Sequence, residues 1–205
     1  MRIALIVEGK TETAFLPALR RYLTTYLQDT MPTIKAFPQN GRVPKEEKLS
    51  RLVENLLSGA APYDAVIALT DVYTSKNPAT RDFANAEDAK QKMRTWVGNN
   101  SKFYPHAAQY DFEAWLLPYW KTIQEIAKHN KTAPSGKPED VNHDNSPVYR
   151  IKEIFDLGKS REYNKPREAK KILDQNDLGI AVGQCPELKS FINTLLSLCD
   201  HPILL

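Results

Sequence analysis

Four carboxylates in this 205-residue chain stand where short apolar runs end. The run at residues 3–7 stops at Glu8 and Gly9, the run at 65–69 stops at Thr70 and Asp71, and the run at 103–109 is followed by Asp111 and Glu113. A short apolar run bounded by turn signals reads as a buried strand. In a parallel α/β sheet, ligands collect outside the carboxyl ends of such strands. Carboxylates gathered there without matching His or Cys suit a hard cation, and Mg²⁺ takes one or two of them while keeping waters for a phosphate ligand. Such an ion positions a phosphodiester, stabilises the charge that develops on it and lowers the pKa of an attacking water, so the predicted chemistry is phosphoryl transfer. The competing role for each acid is helix capping, where the dipole favours carboxylates. Glu12, in the first turn of the helix predicted after Gly9, is assigned to that role. Glu8 precedes the cap, directly follows a strand, and is assigned to the site.

Other chemistry-bearing residues are weighed the same way. Lys10 can reach a phosphate from the first turn, and Arg150 with Lys152 can grip one from the opposite side, although a solvated surface role competes for each. His106, His129, His143 and His201 lack ligand spacing, and only His106 lies close enough to the predicted site to act as an acid or base. The GKP at residues 136–138 is not a phosphate-binding loop, because the upstream glycine is missing and Pro138 replaces the Ser or Thr. Trp96, Trp115 and Trp120 sit in apolar helical settings and are read as core. Cys185 and Cys199 are too few for a disulfide framework and are not spaced as a zinc site.

These residues need a scaffold, and the pattern supplies one. Strands are predicted at residues 3–7, 33–37, 65–69 and 103–109, alternating with amphipathic helices after Gly9, at 46–57 and at 85–97. Residues 71–84 read as a long loop. Residues 128–147 are polar and Pro-rich, expected to be poorly ordered and to close over the acids when nucleic acid is present. Beyond them only helices are predicted, at 148–155, 166–174, 178–183 and 186–198, the last opened by Cys185 and Pro186. The division is an α/β domain at 1–120, a polar linker at 121–147 and a helical part at 148–205. The net charge of +3 is mild, so polyanion binding must come from local stretches such as Lys159, Arg161, Lys165, Arg167, Lys170 and Lys171. No signal-peptide pattern or membrane-length apolar run is present, which predicts a cytoplasmic protein.

The stretches IVEGKTE, LTD and HAAQYDFEAWLLPYW, followed by SPVYRIKEIF, YNKP and GQCPELKSFINTLL, resemble the Toprim-like domain-of-unknown-function family 4276 over nearly the whole chain. That resemblance implies a mainly parallel sheet with helices on both faces. It also implies a Glu after the first strand and an Asp-x-Asp after the third, binding Mg²⁺ or Mn²⁺ as in topoisomerases, primases and overcoming-lysogenization-type nucleases. Glu8 matches the first acid and Asp71 the second. Tyr73 replaces the third, and Tyr110 stands where related sequences often have His. Asp111 or Glu113 could take over from the missing Asp. The implied activity is that of a Mg²⁺-dependent nuclease acting on DNA, set in bacterial defence against phage beside an ATPase. Glu8, Asp71, Asp111 and Glu113 hold the ion in this reading, and Lys10 and Arg150 hold the phosphate. The alternatives are a non-catalytic binding subunit of such an ATPase, favoured by Tyr73, and nucleotide binding without hydrolysis.

Overall fold

Alternation along the strands sets the layers. The computed structural model describes residues 1–73, 81–141, 145–159 and 162–205. Its strands β1 (Arg2–Val7), β2 (Thr33–Pro38), β3 (Ala65–Asp71) and β4 (Phe103–Ala108) form a four-stranded sheet of order β2-β1-β3-β4. All three pairings are parallel. Ile3, Leu5 and Val7 with Ile67 and Leu69 belong to one face, and Ala4 and Ile6 with Val66 and Ala68 belong to the other. A sheet apolar on both sides must be covered on both. Helices α2 (Glu46–Ser58) and α3 (Ala86–Val97) cover the second face. Helix α1 (Lys10–Leu27) covers the first, together with α4 (Trp120–Ala127), α5 (Pro147–Gly158), α6 (Lys165–Asp174), α7 (Leu178–Gln184) and α8 (Pro186–Leu198). The predicted α/β architecture is therefore present, in an arrangement that fits a Toprim-like fold. The later helices share one continuous core with α1.

Strand order places the ligand end. The chain goes from β1 outward to β2, then returns to β3 on the other side of β1, so the crevice at the carboxyl ends of β1 and β3 is the topological switch point. Val7 pairs with Leu69, which sets Glu8 level with Thr70 and one residue short of Asp71. On the far side Asp71 pairs with Ala108, three residues before Asp111.

Residues 128–147 differ from their polar reading. Before them, α4 occupies residues 121–127 of the predicted linker. The Lys131 carbonyl then accepts hydrogen bonds from Trp120 Nε1 and Gln124 Nε2 at 2.8 and 2.9 Å. Glu139 accepts from Trp115 Nε1 at 2.9 Å and from the Glu187 amide at the start of α8, and Val141 is buried. Lys131, Glu139 and Val141 are thus anchored to the helices within a stretch whose average composition is polar. Residues 142–144 lie outside the described residues, with His143 among them, as do Arg161 and residues 74–80 of the predicted long loop.

One glycine is required by close approach. A Cβ at Gly158, the last residue of α5, would stand 1.8 Å from the Ala127 carbonyl oxygen at the end of α4. Gly158→Ala must push the two helix ends apart, and such overpacking costs ~1–3 kcal/mol. The expected result is a denaturant midpoint lowered at unchanged slope; a midpoint equal to wild type would show that these helix ends are not packed as described.

Candidate functional site

Each acid reaches the switch point because backbone geometry delivers it. Glu8 follows the last residue of β1, and its Oε1 accepts from Thr70 Oγ1 at 2.6 Å and from the Asp71 amide at 2.9 Å. The two strand ends are therefore stitched together through the carboxylate. Asp71 Oδ1 accepts from the Phe112 amide at 2.9 Å, at the start of a 3-10 segment, Phe112–Tyr119. Asp111 precedes that segment, and its Oδ2 accepts from the Val148 amide of α5 at 3.3 Å. Its other oxygen, Oδ1, is buried with no hydrogen-bond partner among the described residues. Glu113 is buried, accepts from Tyr163 Oη at 3.3 Å, and pairs with Lys165 Nζ at 3.2 Å. Glu12, as read, caps its own helix by accepting from the Gly9 amide at 2.9 Å.

Capping and site roles are thus combined. Asp71 and Asp111 each use one oxygen to satisfy backbone amides at the start of a helical segment, which fixes the side chains. Beneath them Phe15, Phe112, Trp115 and Phe191 pack with ring centroids 5.3–6.4 Å apart. That apolar bed is what makes the charges expensive. Burial raises Glu8 from 4.5 to about 7, against the hydrogen bonds from Thr70 and Asp71. Burial and then the negative field of Glu8, Glu12, Asp111 and Glu113 push Asp71 well above an ordinary carboxylate. Asp111 is raised to about 7 by burial and Glu113.

The cation in this cluster is Lys165, which sequence reasoning placed only in a basic stretch. Burial opposes its charge, but Glu113 first, then Asp71 and Asp111, hold its pKa above the usual lysine value. It occupies the first position of α6, capped by Asn164, whose side chain accepts from the Arg167 amide at 3.2 Å. A cation at a helix N-terminus opposes the dipole, and that misfit within N-K-P was the available signal. Tyr163, beside it, was missed as well.

The other candidates fall elsewhere. Lys10 is exposed at the start of α1. Arg150 lines a depression next to the acidic cleft, and Asn145, Tyr149 and Lys152 border both. His106 does not join the acids: its Nε2 lies 3.0 Å from Thr194 Oγ1 of α8 and its ring packs on Phe191. Burial, with Lys90 and Arg94 nearby, lowers its pKa to about 3. Trp115 and Trp120 are buried core, as expected, and Cys185 is buried with its thiol pushed up by burial.

The cleft above Asp71 and Asp111 encloses ≈ 580 Å³. Tyr73 stands on its wall with Arg81, whose Cζ lies 3.5 Å from the tyrosine ring centroid. Among the described residues, no three acidic, His or Cys side chains are arranged so that they could hold a metal ion as they stand.

Fold and site together define a parallel α/β protein with an acidic cleft at its topological switch point, closed on one side by a lysine from an added helical layer. Residues 7–196 match the family model described as Domain of unknown function (DUF4276), and the chain belongs to that family. Among solved structures, the chain is similar to the C-terminal region of the Burkholderia pseudomallei OLD protein. The TM-score there is 0.54 at 11% identity, covering 96% of this chain and 98% of that one. A further match, at TM-score 0.45 and 13% identity, is to the C-terminal region of the Xanthomonas campestris pv. campestris OLD protein, covering 98% of this chain and 97% of that one. No curated protein matches the sequence. No helix among the described residues is long and apolar enough to cross a membrane.

Proposed function

We propose that this protein is a metal-dependent nuclease-like enzyme that hydrolyses phosphodiester bonds at the β1–β3 switch point. The observation that carries the reading is the convergence there of Glu8, Asp71, Asp111 and Glu113 from three strand ends, with Lys165 delivered from the helical part. By type the donors suit Mg²⁺ or Mn²⁺, being all oxygen, although they are not arranged to hold an ion as they stand, and the buried Asp111 Oδ1 has no hydrogen-bond partner among the described residues. Once bound, the ion supplies Lewis-acid stabilisation of phosphoryl charge and a more acidic water. Released from Glu113, the Lys165 ammonium would be free to meet a phosphate oxygen in the cleft. Asp71 and Asp111, each fixed through an amide, orient the ligands, and the aromatic bed keeps water from beneath them. Lys10 and Arg150 belong to an outer ring of cations that steers a polyanion inward.

The test is a nuclease assay on DNA and RNA with millimolar Mg²⁺ or Mn²⁺, comparing wild type with Glu8→Gln and Asp71→Asn. Loss of an electrostatic group that acts in the transition state costs ~10²–10³ in rate. Both variants should lose at least that much. Equal rates in wild type and variants would refute the reading.

A second reading, a non-catalytic binding subunit beside an ATPase, is favoured by Tyr73. It occupies the position of the second Asp implied by the family motif and is packed with Arg81 and Tyr110. Wild type without cleavage on any substrate, alone or with the ATPase partner, would support it.

A further inference from the structure

The aromatic residue that replaces the expected acid is not alone. Tyr73 packs on Tyr110 with ring centroids 5.1 Å apart, and its amide donates to the Tyr110 carbonyl at 2.7 Å. Tyr110 is held at φ 71°, the left-handed region that a bulky residue rarely adopts. Arg81 Cζ lies 3.5 Å from the Tyr73 ring centroid, a cation–π contact. Tyr149, on the first turn of α5, is 41% exposed and lines the same cavity together with Asn145 and Lys152. One cavity thus has two kinds of lining. Its floor is Asp71, Asp111 and Lys165, and its walls are tyrosines and cations.

From this juxtaposition we propose that the cleft takes single-stranded nucleic acid, with a base stacked on the Tyr149 and Tyr73–Arg81 walls and the adjoining phosphate on the floor. The proposal rests on the phosphodiester reading above and names its substrate class. Base stacking on aromatic side chains needs an open π-face, which single strands offer and duplexes cover. The cavity, ≈ 580 Å³, falls in the range of about 300–1,000 Å³ that holds small ligands and suits one nucleotide rather than a duplex. Tyr73 follows Asp71 by two residues, so the wall stands within roughly 7 Å along the chain from the floor, a base-to-phosphate reach. Asn145 adds an amide able to pair with a base edge.

The experiment measures binding by fluorescence anisotropy, in metal chelator so that no strand is cut. The probes are a single-stranded DNA, an RNA of the same sequence, the DNA duplex and an abasic strand of equal length that keeps the phosphates. Wild type should bind the single strands about 10-fold more tightly than either the duplex or the abasic strand. Tyr149→Ala should lose about 10-fold on the base-bearing strands and nothing on the abasic strand, and Tyr149→Phe should retain wild-type binding. The DNA and RNA arms show which sugar is accepted. Equal or tighter binding to the duplex, abasic binding equal to that of the DNA strand, or no binding at all overturns the proposal. Cleavage with metal, run separately, decides the underlying phosphodiester reading, so base-dependent binding without cleavage separates the two. Because Tyr149 is exposed, a melting curve of each variant should match wild type; if Tyr149→Ala is unfolded, Tyr149→Phe and the abasic strand still decide.

Discussion

In the absence of divalent metal the protein should lose stability as the pH rises from about 5 to about 8, and millimolar Mg²⁺ or Mn²⁺ should restore it at the alkaline end only. The sign follows from the acids. Glu8 and Asp111 titrate near 7 in the folded chain, and Asp71 well above its ordinary value, against 4.5, 3.8 and 3.8 when exposed. Over that window the folded state holds more protons than the unfolded one, so stability falls with pH. His106 acts the other way: its folded pKa of about 3 lies below 6.5, so its contribution rises up to that pH and then stops. Glu12 and Glu139, also raised by burial, act in the same direction as these three, so the carboxyls outweigh the one imidazole below 6.5 and the net effect is a fall in stability with pH. Asp88 and Asp174, held down chiefly by Lys92 and Lys170, titrate below the window. A shift of the size at Glu8 corresponds to on the order of 3 kcal/mol. Glu8→Gln and Asp71→Asn should each flatten the fall and melt no lower than wild type at about pH 8 without metal, yet lose the metal-induced rise that mass action gives wild type. The measurement is a set of melting curves across pH, with and without metal. Stability rising through the window, or variants that melt lower without metal, would make these acids plain caps.

The parts of this site that could be read in the sequence are those carried by short-range pattern. Glu8 and Asp71 announce themselves because an apolar run stops abruptly at a charge, and parallel pairing of β1 with β3 brings the two together. Asp111 and Glu113 follow the fourth run in the same way. Lys165 was hidden because its partner Glu113 is 52 residues away, and no periodicity encodes that pairing. Only tertiary packing of α6 on α1 creates it, fixed in part by Arg21 Nη2 donating to the Leu173 carbonyl at 2.9 Å. Glu139 was hidden for the same reason: a charged residue in a polar stretch reads as solvated until Trp115 and the α8 amide are placed beside it. His106 misled in the opposite sense. Its position near the end of β4 suggested the cleft, but a strand residue must choose a face, and this one turns toward α8.

The two halves of the chain are therefore joined at the acid cluster, which makes it sensitive to how the helical part sits. The α/β layer provides the carboxylates, and the helical layer provides Lys165, whose ammonium pairs with Glu113. A conformational shift of α6 would change the number of effective charges in the cleft without altering any strand. Binding of an anionic strand and of a hard cation would then be coupled, because each competes with or relieves the same lysine.

Lys165→Met tests that coupling and should destabilise the protein in a way that depends on both pH and metal. Methionine keeps most of the side chain's length and removes its charge. Breaking a fully buried pair costs ~3–5 kcal/mol because a charge is left uncompensated. Glu113 is 1% exposed but the Lys165 side chain is 45% exposed, so solvent screens part of the loss and about 2 kcal/mol is expected near pH 8. Lowering the pH protonates the acids and should return most of that stability, and so should millimolar Mg²⁺, which replaces the missing positive charge. A double variant, Lys165→Met with Glu113→Gln, removes both members and should be more stable than Lys165→Met alone, the non-additivity that direct contact demands. If the proposed function holds, nuclease activity should not return with it, because the ammonium proposed to meet the phosphate is still absent. Melting curves of wild type, the single variants and the double variant at two pH values, with and without metal, complete the cycle. Additive single effects, or a Lys165→Met defect indifferent to pH and metal, would mean that the lysine merely packs against the cleft and does not balance its charge.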